Sequence, residues 1–378
     1  MIWGIAVHTS TLGLSTTLQQ VARVSGYVRM EGFMAISGLL VGLVIDRYGT
    51  THTIKRRLVA LGVPLVTSLL LLNPITNTLA YSFHNEPITL GAYLAGGGDP
   101  KADGPMVWHL HLWFLFALIA YVLLSPLIGF ALRHVLPLLQ TRIETASHAR
   151  RFFVLALLVP LGCLGTRVLF EILIEPFLAE RLVFVVRSTL YYLPFFAVGF
   201  ALYRCPPLLE AFARIHWPHI LIAPLLVVAI TLTFHDLPKL TAEALKVLAE
   251  SYLSVVFAAT LFALARRYFS RESRWISVLS DAAYSIYLLH FLVIYVVATA
   301  LRPFTGDSGT LVLLVMLLTF ALTLALHQFV IRRIPLLRFL FNGRRARPSA
   351  PVPSVSPEQA STTAPAASAP SALQISPP

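Results

Sequence analysis

Ten apolar stretches recur along the chain, near residues 1–14, 30–47, 58–79, 107–132, 152–174, 183–203, 216–234, 245–266, 277–301 and 309–331. All but the first are long enough to carry a helix across a hydrocarbon core about 30 Å thick. A bilayer offers the backbone no hydrogen-bond partner, so spanning segments of this length are helices. The pattern predicts an all-α, polytopic transmembrane helix bundle of about ten helices, with kinks at Pro64, Pro160, Pro194 and Pro224. The opening stretch, MIWGIAVHTSTLGL, is too short to span. At about 1.5 Å per residue it is expected to be the outer part of a truncated helix one, lacking roughly six residues or more. It has neither a basic leader nor a small-residue cleavage site, so it does not read as a cleaved signal peptide.

Composition agrees with a membrane solvent: 57% of residues are hydrophobic, 12% are charged and the mean hydropathy is +0.77. No water-soluble domain is left over. The net charge of +12 does not point to nucleic acid, because the basic residues sit in short clusters between apolar runs. Connectors that follow even-numbered segments, with the C-terminal end, hold 20 Lys and Arg, against 8 after odd-numbered ones. That asymmetry places the even connectors in the cytoplasm, and with ten helices both termini lie there. Cys163 and Cys205 fall at different depths, so neither a disulfide nor a metal site is expected. The transmembrane domain is expected over residues 1–341. Residues 342–378 are rich in Pro, Ser and Ala and predict a disordered cytoplasmic tail. The glycine-rich connector before residue 107 reads equally as a mobile cover over an outward opening and as a plain linker.

Ionisable side chains inside a bilayer are costly and face the bundle interior or a wet cavity, so their depth is informative. In the predicted topology His8, Arg29, Glu31, Ser37, His109, His111 and Trp113 all fall in the outer half. Arg167 and Glu171 lie toward the outer end of helix five, four residues apart, where they can pair. Several of these residues have a plain structural reading beside the functional one. Arg29 and Glu31 can be interfacial anchors, and the Arg167–Glu171 pair can simply neutralise itself. A spacing of two sets His109 and His111 on different helix faces, which argues against a shared metal. His290, with Tyr284 and Tyr287 nearby, reads equally as a hydrogen-bonded core histidine and a catalytic one.

Four stretches carry a more specific signal: GIAVHTS around His8, RMEGFMAISGLLVG from Arg29, HLHLWFLFAL from His109 and SDAAYSIYLLHFLVIYV from Ser280. In this order they resemble the acyltransferase 3 family of polytopic membrane enzymes, and a basic IKRRLVALGVPL from Ile54 sits where the family keeps a basic cluster. Within the family they are most similar to the group associated with succinylation of osmoregulated periplasmic glucans. The resemblance implies an O-acyltransferase in a bacterial inner membrane that moves an acyl group from acyl-coenzyme A to a carbohydrate hydroxyl. It implies no bound cofactor, with acyl-coenzyme A as donor substrate and a glycan as acceptor. His8 matches the family's helix-one histidine, taken to be the catalytic base. The family's arginine eleven residues earlier would precede the first residue here. The usual Arg-x-x-Arg of the basic cluster is replaced by Lys55, Arg56 and Arg57.

The chemistry implied is general-base catalysis: a histidine takes the proton of the acceptor hydroxyl as it attacks the thioester carbonyl. Arg29, Ser37 and Trp113 are the candidate donors to the developing oxyanion. Arg56 and Arg57 are candidates for the coenzyme A phosphates. Glu31, His109, His111, Arg167, Tyr284 and His290 are candidate substrate-binding residues. The competing functional class is a secondary transporter or flippase, which also uses about ten helices with buried polar residues, although no paired halves are apparent. A non-catalytic scaffold would require the polar cluster to be packing alone.

Overall fold

A computed structural model describes residues 2–26, 29–97, 108–269 and 273–343. Among them there is no strand, and nine helices are long and apolar enough to cross a membrane. The first predicted segment is helical only over α1 (Ile2–Thr9). It ends in a tight turn, Ser10–Leu12, closed by Gly13 at φ 75°, a conformation that costs glycine little. A polar helix that the apolar pattern did not predict, α2 (Thr16–Gly26), returns beside α1, and the Trp3 indole donates to Ser25 Oγ at 2.5 Å. The chain continues through α3 (Arg29–Tyr48), α4 (Thr50–Thr67), α5 (Asn73–His84) and the short α6 (Leu90–Leu94). A wide turn over Ser68–Leu72 joins α4 and α5 into one 35-residue span, Thr50–His84.

The remaining spans are α7 (Trp113–Thr145), α8 (His148–Leu169), α9 (Glu180–Arg204), α11 (Trp217–Thr233), α12 (Lys239–Tyr268), α13 (Arg274–Thr305) and α14 (Gly309–Leu326). Two short helices, α10 (Pro206–Phe212) and α15 (Pro335–Asn342), lie at the end of the bundle where the basic connectors gather. Nine of the ten expected segments are thus recovered as spans among the described residues, while the first is only the short α1; many spans are longer than the apolar run, because charged residues continue the helix beyond the hydrocarbon depth. Residues 98–107 and 344–378, which hold part of the glycine-rich connector and nearly all of the predicted tail, lie outside the described residues. Asn342 and Gly343 still belong to the fold. Ser285 donates to Asn342 Oδ1 at 2.8 Å, and Gly343, at φ 59°, sits against the Ala60 backbone.

The two largest packed groups make up most of the interior among the described residues. One joins α3, α7, α8, α9 and α12 around Met34, Tyr121, Phe152, Phe196 and Phe200. The other joins α1, α5, α13 and α14 around Ile5, Ile286, Ile294, Tyr295 and Leu311. Lipid tails are as apolar as leucine, so close packing rather than apolar burial has to draw spanning helices together. The α3–α9 crossing shows this plainly: a Cβ on Gly38 would meet the Phe196 carbonyl, and one on Gly199 would meet the Ala35 carbonyl. Outward faces stay apolar, as at Leu225 and Leu232 of α11, and suit contact with lipid tails.

Candidate functional site

The two packed groups meet around a cavity of about 260 Å³. α1 contributes His8, the turn after it Thr11, and α13 Phe291; the opposite wall holds His109, His111, Trp113 and, from α9, Phe184. His8 reaches this wall because α1 packs against α13 and α14, with Ile5 and Leu12 buried on either side of it in sequence. Thr11 closes the local turn by donating to the His8 carbonyl at 2.6 Å, and its hydroxyl also meets Tyr295 Oη at 3.1 Å.

His109 and His111 point apart, as their spacing predicts, and a strained backbone helps to set them there. Leu110 between them has φ 46°, which a residue with a Cβ seldom adopts, and its side chain is buried. His109 stacks on Phe184, with ring centroids 5.5 Å apart. Its neighbour Trp108 is tied down on both sides: Asn73 Nδ2 donates to the Trp108 carbonyl at 2.8 Å, and the indole donates to the Arg181 carbonyl at 3.0 Å.

His111 turns the other way and meets His8 and His290. The ring centroids are 5.8 Å apart for His8 and His111, 5.0 Å for His8 and His290, and 4.9 Å for His111 and His290. His111 and Tyr287 form a reciprocal pair, in which Nε2 donates to the Tyr287 carbonyl at 2.8 Å and Tyr287 Oη donates to the His111 carbonyl at 2.7 Å. His290 Nδ1 donates to the Ile286 carbonyl, one turn earlier, at 3.0 Å. His290 is therefore both a hydrogen-bonded core residue and a member of the cluster. Among the described residues no group of three His, Cys, Asp or Glu side chains is placed to hold a metal ion.

Arg29 opens α3 and lies close enough to act electrostatically on His8, His290, Glu31 and Tyr192. One of its guanidinium nitrogens, Nη1, is buried without a hydrogen-bond partner. Glu31, 2% exposed, accepts from Ser254 of α12 at 3.2 Å through Oε1, while Oε2 is buried and unpartnered. Trp113 stacks on Tyr192 at 5.5 Å, so its indole borders both the cavity and the Arg29 neighbourhood.

Other candidates are not brought here. Ser37 lies eight residues beyond Arg29, about 12 Å of helix rise towards the basic end, and does not line the cavity. Arg167 pairs with Glu171 as predicted, but both are partly exposed on and just beyond α8, away from the histidines. Tyr284 stacks on Tyr287 and donates to the Ala60 carbonyl at 3.4 Å, six residues and so about one and two-thirds turns of α13 from His290. Arg56 and Arg57 lie on α4, with Arg57 sixteen residues before Asn73, about 24 Å below the Trp108 level.

Participants that the sequence does not single out as candidates are Thr11, Leu110, Tyr287, Phe291, Phe184, Tyr192 and Ser254. Tyr287 and Phe291 had a readable signal, because both stand in the motif around His290 at helical spacing. Phe184, Tyr192 and Ser254 had none, being ordinary residues of apolar helices until the bundle assembles.

The acyltransferase domain family, acyltransferase 3, matches residues 1–328. Among curated proteins the chain is similar to glucans biosynthesis protein C of Salmonella typhimurium, 28% identical over 333 residues, 84% of this chain and 82% of that protein. The protein of the same name from Salmonella dublin is 27% identical over the same shares. No solved structure matches the chain.

Proposed function

The chain belongs to the acyltransferase 3 family, and from that premise we propose that it carries an acyl group, succinyl in particular, from cytoplasmic acyl-coenzyme A to a hydroxyl of a periplasmic glucan, with His8 as base. That it is a multi-pass membrane acyltransferase follows from the family and the nine spans. The donor, the acyl group, the acceptor and the inner-membrane location are the proposal. The glucan acceptor is supported by the name of the relatives, and succinyl by the resemblance of the motifs.

One observation carries the mechanism: His8 stands in the wall of a cavity at the opposite end of the bundle from the basic connectors. Lysine and arginine bias marks the basic end as cytoplasmic. Arg56 and Arg57 at that end suit the phosphates of coenzyme A, as charge-assisted partners. The acyl arm reaches outward, and the acceptor meets it in the cavity. His8 takes the hydroxyl proton as the oxygen attacks the carbonyl carbon. The buried, unpartnered Nη1 of Arg29, within electrostatic range of His8, and the indole N–H of Trp113 in the cavity wall are the candidate donors to the growing negative charge. The thiolate then leaves and recovers the proton from His8.

The sidedness is tested in sealed vesicles of known orientation, with succinyl-coenzyme A labelled in the acyl group and a β-glucan oligosaccharide as acceptor. Label is expected on the glucan only when donor faces the basic end and acceptor the other. Transfer with both substrates on the cavity side alone overturns the cross-membrane path, and free label crossing without attachment favours a transporter. In the same assay, the double change Arg56→Ala with Arg57→Ala is expected to raise the KM for donor roughly tenfold, the range of one or two hydrogen bonds to charged groups. An unchanged donor KM places the phosphates elsewhere.

A further inference from the structure

His290 does not line the cavity; it lies behind His8, 4% exposed, with the two ring centroids 5.0 Å apart. A carbonyl can only accept, so the bond from His290 Nδ1 to the Ile286 carbonyl fixes the proton on Nδ1. In the neutral ring Nε2 is then a bare acceptor. That atom is buried and has no partner. Buried polar groups are nearly always satisfied, so an orphaned acceptor beside a histidine whose ring lines a cavity calls for an N–H. His8 is the ring able to supply one. A separation of 5.0 Å between centroids is close to what two imidazoles show when joined edge to edge by one N–H···N bond of about 3 Å.

We propose that His290 is the positioning residue of the acyl transfer: its Nε2 accepts an N–H of His8 and thereby leaves the other His8 nitrogen bare toward the cavity. The inference rests on the reading of His8 as the base. In the structure the rings are tilted by 50° and this bond is not formed; closing it requires a turn of the His8 side chain. Base and orienter commonly draw together only when substrate is bound. Through the reaction His290 neither gains nor loses a proton. The acceptor hydroxyl proton moves to the cavity-facing nitrogen of His8 while the new C–O bond forms. The C–S bond then breaks, and that proton passes to the departing thiolate. Throughout, the second His8 N–H remains donated to His290, which spreads the imidazolium charge and holds the ring's aim. His111, whose unpartnered Nδ1 belongs to a ring lining the cavity, remains on the substrate side.

The obvious replacement, His290→Ala, leaves a hole and confounds packing with positioning. Two shape-conserving variants separate them. Asparagine at 290 keeps a donor near the Nδ1 position but has nothing where Nε2 was. Glutamine reaches the Nε2 position with a carbonyl oxygen that accepts. Purified full-length protein in proteoliposomes is assayed with labelled succinyl-coenzyme A and a β-glucan oligosaccharide, at matched amounts of protein eluting as one folded species.

His290→Asn is expected to lower kcat 10- to 100-fold while both KM values stay within about twofold, and His290→Gln to recover most of the rate. Equal loss in the two variants, a rise in KM without loss of kcat, or full activity in His290→Asn overturns the proposal. His8→Ala is run alongside. If it keeps full activity, the base assignment fails and the role of His290 falls with it. If it is inactive while His290→Asn is normal, the base stands and only the positioning role is lost.

Discussion

His8→Ala is expected to lower acyl transfer by about 10²- to 10⁴-fold, the usual contribution of a positioned general base. That loss corresponds to roughly 2.7 to 5.5 kcal/mol of transition-state stabilisation. The variant should still fold. His8 is only half-buried, its ring makes no hydrogen bond with another described residue, and truncating it widens an existing cavity. The measurement is turnover of labelled succinyl-coenzyme A onto glucan in vesicles with matched amounts of folded protein. The fall should appear in kcat, with donor KM little changed, since Arg56 and Arg57 are far from the substituted atoms. Retained turnover would remove His8 from the chemistry, and the cavity would then have to be read as a binding site only.

Gly199→Leu should have the larger effect on the amount of folded protein. The Cβ it adds would run into the Ala35 carbonyl, and a backbone atom cannot rotate away. Overpacking a core costs typically 1 to 3 kcal/mol when side chains can yield. Here two helix axes must separate, so a cost above about 3 kcal/mol is expected. The α3–α9 crossing also holds Arg29 and Glu31 beside Tyr192, so what folds should be inactive as well. The comparison is Gly129→Ala on α7, whose Cβ would make only ordinary contact, at 3.5 Å, with the far end of the Phe200 ring. Detergent-solubilised protein followed by gel filtration should show Gly199→Leu aggregated or absent and Gly129→Ala close to wild type. A monodisperse, stable Gly199→Leu protein would mean that α3 and α9 are not in close backbone contact.

Much of the site was legible because its residues are chemically out of place. A histidine, arginine or glutamate in an apolar run is expensive, so His8, Arg29, Glu31, His111 and His290 stood out at once. Depth along each helix followed from counting residues, which put His8, Arg29 and His111 at one level. Depth alone did not settle Ser37: it lies in the first half of α3, as counted, but eight residues beyond Arg29 and outside the cavity lining. Nor did depth settle Tyr284 and Arg167. Their depth was plausible, but nothing local said which way they faced. Helix α2 leaves no mark in the apolar pattern because its residues are mixed in polarity. Leu110, whose backbone strain separates His109 from His111, looks in the sequence like any other leucine.

The sequence by itself determined that the chain spans a membrane many times, roughly where most of those helices lie, which end gathers the basic connectors, and which side chains are worth explaining. Each of these rests on local composition measured against a fixed bilayer thickness, and needs no knowledge of neighbours. Only the tertiary structure decided which faces meet: that α1 lays His8 against α13, that His290 stands behind it from 282 residues away, and that Trp113 closes the far wall with Phe184 and Tyr192. The physical reason is the solvent. In water a helix announces its buried face by contrast with its polar one, but a spanning helix is apolar toward lipid and toward the core alike. Its rotation is then settled by small residues such as Gly38 and Gly199 and by the few polar groups that must find partners inside.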